Sequence, residues 1–213
     1  MPKIYLLGGE NVLRRSAKQV NQRAFEDVGH APTILVLPWA RASFDKKYRK
    51  RKILSDYFFS LGASSVEFIE YEASQGIAQK LAESDIAYLT GGLPSVLVER
   101  LKTMGIDRLL NEYKGIIIGR SAGALALCKK CVITCRSNAK VKIVKGLGLV
   151  DIILKAHYTP EKDEALKRFS VKERIFAVPE GSALVYDRGK LTAIGNVYLF
   201  NGGERKTFNE TSL

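Results

Sequence analysis

Histidine is nearly absent from this 213-residue chain: only His30 and His157 occur, beside three cysteines, two methionines, one tryptophan and six prolines. Two histidines leave little choice for any imidazole chemistry, and three cysteines cannot supply the framework of a disulfide-stapled domain. Acidic residues are also scarce, 22 against 34 Lys and Arg, for a formal charge of +12. No apolar run approaches the ~20 residues that cross a bilayer; stretches such as 115–119 and 152–154 are typical of the longest. The opening Met1-Pro2-Lys3-Ile4-Tyr5-Leu6-Leu7-Gly8-Gly9 reads as a buried strand entering a glycine turn, not as a secretory leader, so a cytoplasmic protein is expected. With 46% apolar and 26% charged residues, the disordered and fibrous classes are excluded. The length suits one domain, 1–213, with one sizeable core.

What is present is a regular alternation. Short aliphatic or β-branched runs (Lys3 to Leu7, Thr33 to Leu37, Ser65 to Ile69, Ile86 to Leu89, Gly115 to Ile118, Ser182 to Tyr186) alternate with longer amphipathic stretches. Helices are expected over Asp45 to Leu61, Ala73 to Ser84, Pro94 to Met104 and Ser121 to Cys131. This pattern predicts an α/β fold with a doubly wound, mostly parallel sheet. After residue 182, turns at Asp187-Arg188-Gly189 and Asn201-Gly202-Gly203 predict antiparallel hairpins closing one edge. Cys128, Cys131 and Cys135 crowd into eight residues. Zinc needs three or four ligands, and the nearest histidine lies in another element, so buried thiols at a helix end are expected rather than a metal site.

The chemistry concentrates in Gly119-Arg120-Ser121-Ala122-Gly123, a G-x-S-x-G motif between the strand Lys114-Gly115-Ile116-Ile117-Ile118 and the helical Ala124-Leu125-Ala126-Leu127. A strand-turn-helix of this kind presents a serine Oγ on a sharp turn, with helix N–H groups aimed at a developing oxyanion. A nucleophilic serine needs a base. His30 lies in the loop before the second strand, at the sheet's N-terminal edge, whereas sites of doubly wound folds lie at the C-terminal edge. His157 is therefore the candidate base. The turn Thr90-Gly91-Gly92-Leu93 opens on that same edge, so the Gly92 N–H is expected to complete an oxyanion hole with that of Ala122. The group that orients His157 is less plain. Asp151, six residues before it, would sit about 20 Å away along a strand. Glu180, at a strand end in Pro179-Glu180-Gly181, is favoured, with Asn138 as an uncharged substitute.

The Gly91-Gly92 turn, Gly119-Arg120-Ser121-Ala122-Gly123, the segment ending Ala156-His157-Tyr158 and Pro179-Glu180-Gly181 occur in the order and approximate spacing of peptidase family S51, and the chain resembles that family over nearly its whole length. The family contains aspartyl dipeptidase (dipeptidase E) and cyanophycinase. The resemblance implies a class I glutamine-amidotransferase-like (flavodoxin-like) fold and serine-dependent hydrolysis of short peptides with aspartate on the acyl side of the scissile bond. Ser121 would then be the nucleophile, His157 the base, and Gly92 with Ala122 the oxyanion donors; no metal or organic cofactor is expected. Two positions depart from the family pattern. The stretch Ile133-Thr134-Cys135-Arg136-Ser137-Asn138 carries no carboxylate where dipeptidase E-like members have the triad aspartate, and Leu93 stands where asparagine often follows the glycines. The elbow holds serine rather than the cysteine of glutamine amidotransferases, which argues against ammonia-generating chemistry. A 36-residue gap from Ser121 to His157 argues against the α/β-hydrolase fold.

The expected function is thus a serine peptidase acting on short, acidic peptides. The alternative is a catalytically weakened binding module on the same scaffold, holding polyanions through the basic segment 41–52, with seven cations in twelve residues. A solvated helix face is the plainer reading of that run. The expected partner is a small peptide, with nucleic acid and membrane disfavoured and a homodimer kept open. Lys155, Lys162, Lys167 and Arg168 near His157 are the cations that would bias the site toward acidic substrates.

Overall fold

The structure is a computed structural model that describes residues 1–41, 49–134 and 141–212. Its elements are β1 (Lys3–Leu7), α1 (Lys18–Val28), β2 (Thr33–Leu37), α2 (Arg49–Ser60), β3 (Ser65–Phe68), α3 (Ile77–Glu83), β4 (Ile86–Leu89), α4 (Pro94–Thr103), α5 (Ile106–Glu112), β5 (Ile116–Arg120) and α6 (Ala122–Leu127). There follow β6 (Cys128–Thr134), β7 (Val141–Lys145), β8 (Val150–Ala156), α7 (Asp163–Ser170), β9 (Ile175–Val178), β10 (Ala183–Asp187), β11 (Lys190–Ile194), β12 (Tyr198–Asn201), β13 (Glu204–Thr207) and β14 (Glu210–Ser212).

Eight strands form the first sheet in the order β14-β11-β10-β1-β5-β4-β2-β3. Its β1-β5-β4-β2-β3 half is parallel, and β10, β11 and β14 add antiparallel at the other side. The expected α/β class is what the chain adopts, and one of the two expected hairpins closes this edge; the Asn201-Gly202-Gly203 turn instead joins β12 to β13, which belong to a second sheet. The Asp187-Arg188-Gly189 turn joins β10 to β11 with positive φ at both Arg188 (47°) and Gly189 (82°), the mirror-image turn that matches strand twist.

Both faces of this sheet are covered, and the strands show why. In β1, Ile4 and Leu6 point into one core with Leu35, Leu37, Ala87, Leu89 and Ile117. Tyr5 and Leu7 point into the other with Ile34, Val36, Ile86, Tyr88, Ile116 and Ile118, capped by Val20, Ala24 and Phe25 of α1 and Leu54, Tyr57 and Phe58 of α2. Apolar residues at both parities are what a doubly covered parallel strand requires. No helix among the described residues is long and apolar enough to cross a membrane.

A second sheet, unanticipated in the sequence pattern, has the order β13-β12-β9-β8-β6-β7. It arises where the helix expected over Ser121 to Cys131 stops at Leu127. The Ala126 carbonyl accepts the Leu147 N–H (2.7 Å) and the Cys128 carbonyl accepts the Gly148 N–H (3.2 Å), so a returning loop satisfies groups that another helical turn would have used. The chain then extends as β6, pairing with β7 on one side and β8 on the other. Cys128, which ends α6 and begins β6, is buried at a helix end as expected, whereas Cys131 is buried farther along the strand. Burial pushes both thiols up, Cys131 to about 11, which keeps them protonated and unreactive at neutral pH. Cys135 lies outside the described residues.

Candidate active site

Three strand ends converge on Ser121. β5 delivers it, Gly8 and Gly9 follow β1, and Gly91 and Gly92 follow β4, all at the carboxyl edge of the parallel strands. The Ser121 N–H donates to the Leu7 carbonyl at 3.0 Å, tying the turn to β1. Ser121 has φ 52° and ψ −104°, a conformation that costs a non-glycine residue on the order of 1–3 kcal/mol. The flanking glycines make it attainable. A Cβ on Gly119 would lie 2.6 Å from the Ala124 nitrogen, and one on Gly123 would lie 2.3 Å from the Leu89 carbonyl oxygen. The turn is as tight as two absent side chains allow.

Ser121 heads α6 without capping it; its Oγ lies instead 2.7 Å from His157 Nε2. The imidazole comes from the second sheet. β8 and β9 run parallel with Ala156 beside Val178, and the chain leaving β8 is caught when the His157 N–H donates to the Gly8 carbonyl at 2.8 Å. The Tyr158 N–H bonds the Val178 carbonyl at 3.2 Å, and His157 adopts φ 49°. Gly8 permits this junction, since a Cβ there would be 2.2 Å from the carbonyl oxygens of Val178 and Pro179. Ser121 and His157 thus come from different sheets, and a strand-end glycine lets those sheets touch.

The Gly91-Gly92 turn stands against the serine: a Cβ on Gly91 would sit 3.5 Å from Ser121 Cβ. Among the described residues the N–H groups of Gly91, Gly92 and Ala122 have no acceptor, whereas those of Thr90 and Leu93 bond Leu37 and Ala40. Unpaired backbone donors beside a nucleophile are what oxyanion binding needs.

Glu180 lies on the wall of the same cleft but is exposed, and it makes no hydrogen bond to His157. Its turn braces the site through the backbone: the Gly181 N–H donates to the Gly9 carbonyl at 2.9 Å. Asn138 lies outside the described residues. Asp151 is occupied elsewhere, its carboxylate 2.9 Å from Lys129 Nζ. His30 is exposed near Asp85 (3.6 Å), just ahead of β4, at the opposite end of the sheet from Ser121.

Among the described residues the cleft, about 1120 Å³, is lined by five cations, Arg41, Lys50, Arg120, Lys155 and Lys162, against two carboxylates, Glu10 and Glu180. Lys155 and Lys162 are therefore placed as the sequence implied. Lys167 pairs with Glu164 on α7 (3.2 Å), and Arg168 is exposed; neither lines the cleft. Of the basic run, Arg51 pairs with Glu70 and Lys52 with Asp56 (2.7 Å), which leaves them solvated and neutralised; positions 42–48 lie outside the described residues. Leu93 is exposed at the cleft mouth.

Sequence reasoning missed Glu10 and Arg120. Glu10 is held by Asn21 Nδ2 (3.1 Å) and the Tyr88 hydroxyl (3.4 Å), and burial raises its carboxyl above the usual range despite the opposing charge of Arg120. Its signal was its place: a carboxylate directly after the Gly8-Gly9 turn, at the edge where such sheets bind ligands.

Lys155 is buried on β8, and its ammonium donates to the Ala156 carbonyl. Burial, aided by the like charge of Lys162, lowers it to about 8. The folded value lies below the unfolded one, so the protonated lysine opposes folding. That penalty is full below pH ~8, is relieved as pH rises toward ~10.5, and is gone above. Lys155→Met is accordingly expected to raise unfolding free energy at pH 7 by on the order of 2 kcal/mol, with the gain vanishing by pH 10.5. Urea denaturation at the two pH values measures this, and a gain independent of pH would show that no buried charge is involved.

Over 135 residues the chain is 30% identical to an uncharacterized peptidase of Listeria monocytogenes, covering 57% of this chain and 65% of that protein. The whole chain superposes on 97% of a peptidase from an acI-B1 Actinobacterium, with a TM-score of 0.75 at 18% identity. A Listeria monocytogenes structure described as a candidate peptidase E matches with a TM-score of 0.69 at 22% identity, covering 91% of this chain and 98% of that one. These structural likenesses establish the shared fold. The profile of peptidase family S51 matches residues 4–194, and the chain belongs to that family.

Proposed function

We propose that this chain is a serine peptidase that hydrolyses short peptides bearing an acidic residue at the scissile bond. The observation that carries the reading is the 2.7 Å contact between Ser121 Oγ and His157 Nε2 on a strained elbow. Membership of family S51 supports peptide hydrolysis, and the cationic cleft supports an anionic substrate. In this reading Ser121 Oγ attacks the peptide carbonyl while His157 Nε2 takes its proton. The N–H groups of Gly92 and Ala122, joined by Gly91, hold the oxyanion. His157 then protonates the leaving amine, and water attacks the acyl-enzyme by the reverse route.

Two measurements test this reading. A fluorophosphonate probe should add one equivalent of label, mapped by mass spectrometry to Ser121. A panel of Asp-X and β-aspartyl dipeptides should be hydrolysed faster than their Asn-X and Ala-X counterparts. Absence of labelling together with absence of turnover would favour the binding-module reading instead.

A further inference from the structure

One cation of the cleft has no hydrogen bond or ion pair among the described residues. Arg120 is half-buried, yet among the described residues its guanidinium donates no hydrogen bond and lies in no ion pair within 4 Å. A guanidinium carries five N–H donors in a rigid fork, and Arg120 lines the cleft, where an acceptor on a bound ligand can meet them. The side chain is nevertheless held in place. Its Nε lies 3.6 Å from the Cβ position of Gly91, and its Cζ lies 5.8 Å from the centroid of the Tyr88 ring. Glu10 provides the facing negative charge, itself fixed by Asn21 and by the same Tyr88.

The other cleft cations are differently situated. The Lys155 ammonium is engaged with the Ala156 carbonyl, Arg41 and Lys50 are exposed, and Lys162, half-buried like Arg120, is a lysine without the guanidinium fork at the end of the short turn Pro160–Lys162. Whereas Arg41 meets Gly92 of the turn that would hold the oxyanion through its aliphatic stem, Arg120 is adjacent in sequence to the nucleophile and presents its Nε to Gly91 of that turn. An acceptor bound by its fork would be part of the substrate, close to the scissile bond.

We infer that Arg120 is the receptor for a substrate carboxylate and that Glu10 and Tyr88 position it for that task. The inference rests on Ser121 acting as a hydrolase nucleophile and names the residue that sets specificity at that site. The carboxylate belongs either to an acidic side chain on the acyl side or to the free C-terminus of the leaving residue; a bidentate guanidinium contact serves both.

The test compares kcat/KM of the wild type, Arg120→Gln and Arg120→Lys on Asp-Leu, Asn-Leu and Asp-Leu-amide. Acyl-side recognition predicts that the wild type prefers Asp-Leu over Asn-Leu and that Arg120→Gln shrinks this ratio roughly 10- to 100-fold, leaving the acid-to-amide ratio intact. C-terminal recognition predicts the reverse pattern. Arg120→Lys, which keeps charge but loses the fork, should fall between. Unchanged ratios for both pairs overturn the inference. Calorimetric titration of Asp-Leu into Ser121→Ala, with and without Arg120→Gln, separates this from failure of the hydrolase reading. Binding weakened at least about 10-fold by Arg120→Gln upholds the receptor even if the wild type shows no turnover. Equal binding by both variants, or none by either, overturns it. Thermal unfolding and circular dichroism confirm that each variant is folded.

Discussion

Substituting alanine for Ser121 should lower kcat/KM on acidic dipeptides by about 10⁴-fold or more, the scale seen when a unit of nucleophile and base loses a member. His157→Ala should cost about as much, and the double variant little more than either, because the two side chains act through one 2.7 Å contact. Additive losses would mean that they contribute separately, and an active Ser121→Ala would sink the mechanism. Stability supplies a second readout. Alanine keeps the unfavourable φ of 52° at this position, whereas glycine relieves it. Ser121→Gly should therefore be inactive yet more stable than Ser121→Ala by about 1 kcal/mol, measured by chemical denaturation. If the two variants unfold together, the elbow stores no strain.

How far the sequence reveals this site depends on which interactions are local. β1, β2 and β4 occupy the residues that their apolar runs predict, and α4 starts at Pro94 as expected. Such patterns follow from side-chain period and turn chemistry over a few neighbouring residues. The serine elbow was legible for the same reason, since two glycines and the strand before them lie within ten residues. The histidine was legible by elimination: with two in the chain, the fold edge decides between them. The second sheet was not legible. β6 begins inside an expected helix because loop 146–148 and strands β7 and β8 claim its backbone groups, and pairing with other segments leaves no mark in the local pattern.

Glu180 illustrates the same limit at the site. It follows the end of β9 and lines the cleft, as its sequence context implies, but the direction of a side chain leaving a turn is set by contacts that spacing does not encode. The turn contributes the Gly181 N–H to the Gly9 carbonyl instead. Arg120 and Glu10 escaped notice because each looked ordinary in sequence. Their significance comes from Tyr88 and Asn21, which the fold brings to them from 78 and 11 residues beyond Glu10.

Gly9→Ala is expected to abolish most turnover while leaving the protein folded. A Cβ at this position would lie 2.3 Å from His157 Cε1, 2.6 Å from Nδ1 and 3.1 Å from Nε2, far inside van der Waals contact. The ring must move, because the His157 backbone is held by its N–H bond to Gly8 and by the short reach from β8. Moving the ring takes Nε2 out of hydrogen-bond distance of Ser121 Oγ, and a displacement near 1 Å costs on the order of 10²-fold in rate. Stability should fall only modestly: alanine is strained at the Gly9 φ of 158°, but His157 is exposed in the cleft and the Gly9 carbonyl keeps its bond from Gly181. Gly8→Ala provides the contrast. Its Cβ would strike the backbone oxygens of Val178 and Pro179 at 2.2 Å, which no side-chain rotation relieves, so the junction of the two sheets must open and the melting temperature should fall sharply. Adjacent glycines would then separate into one that serves the base and one that serves the fold. Full activity in a folded Gly9→Ala would show that the ring position seen against Gly9 is not the one in which His157 accepts the serine proton.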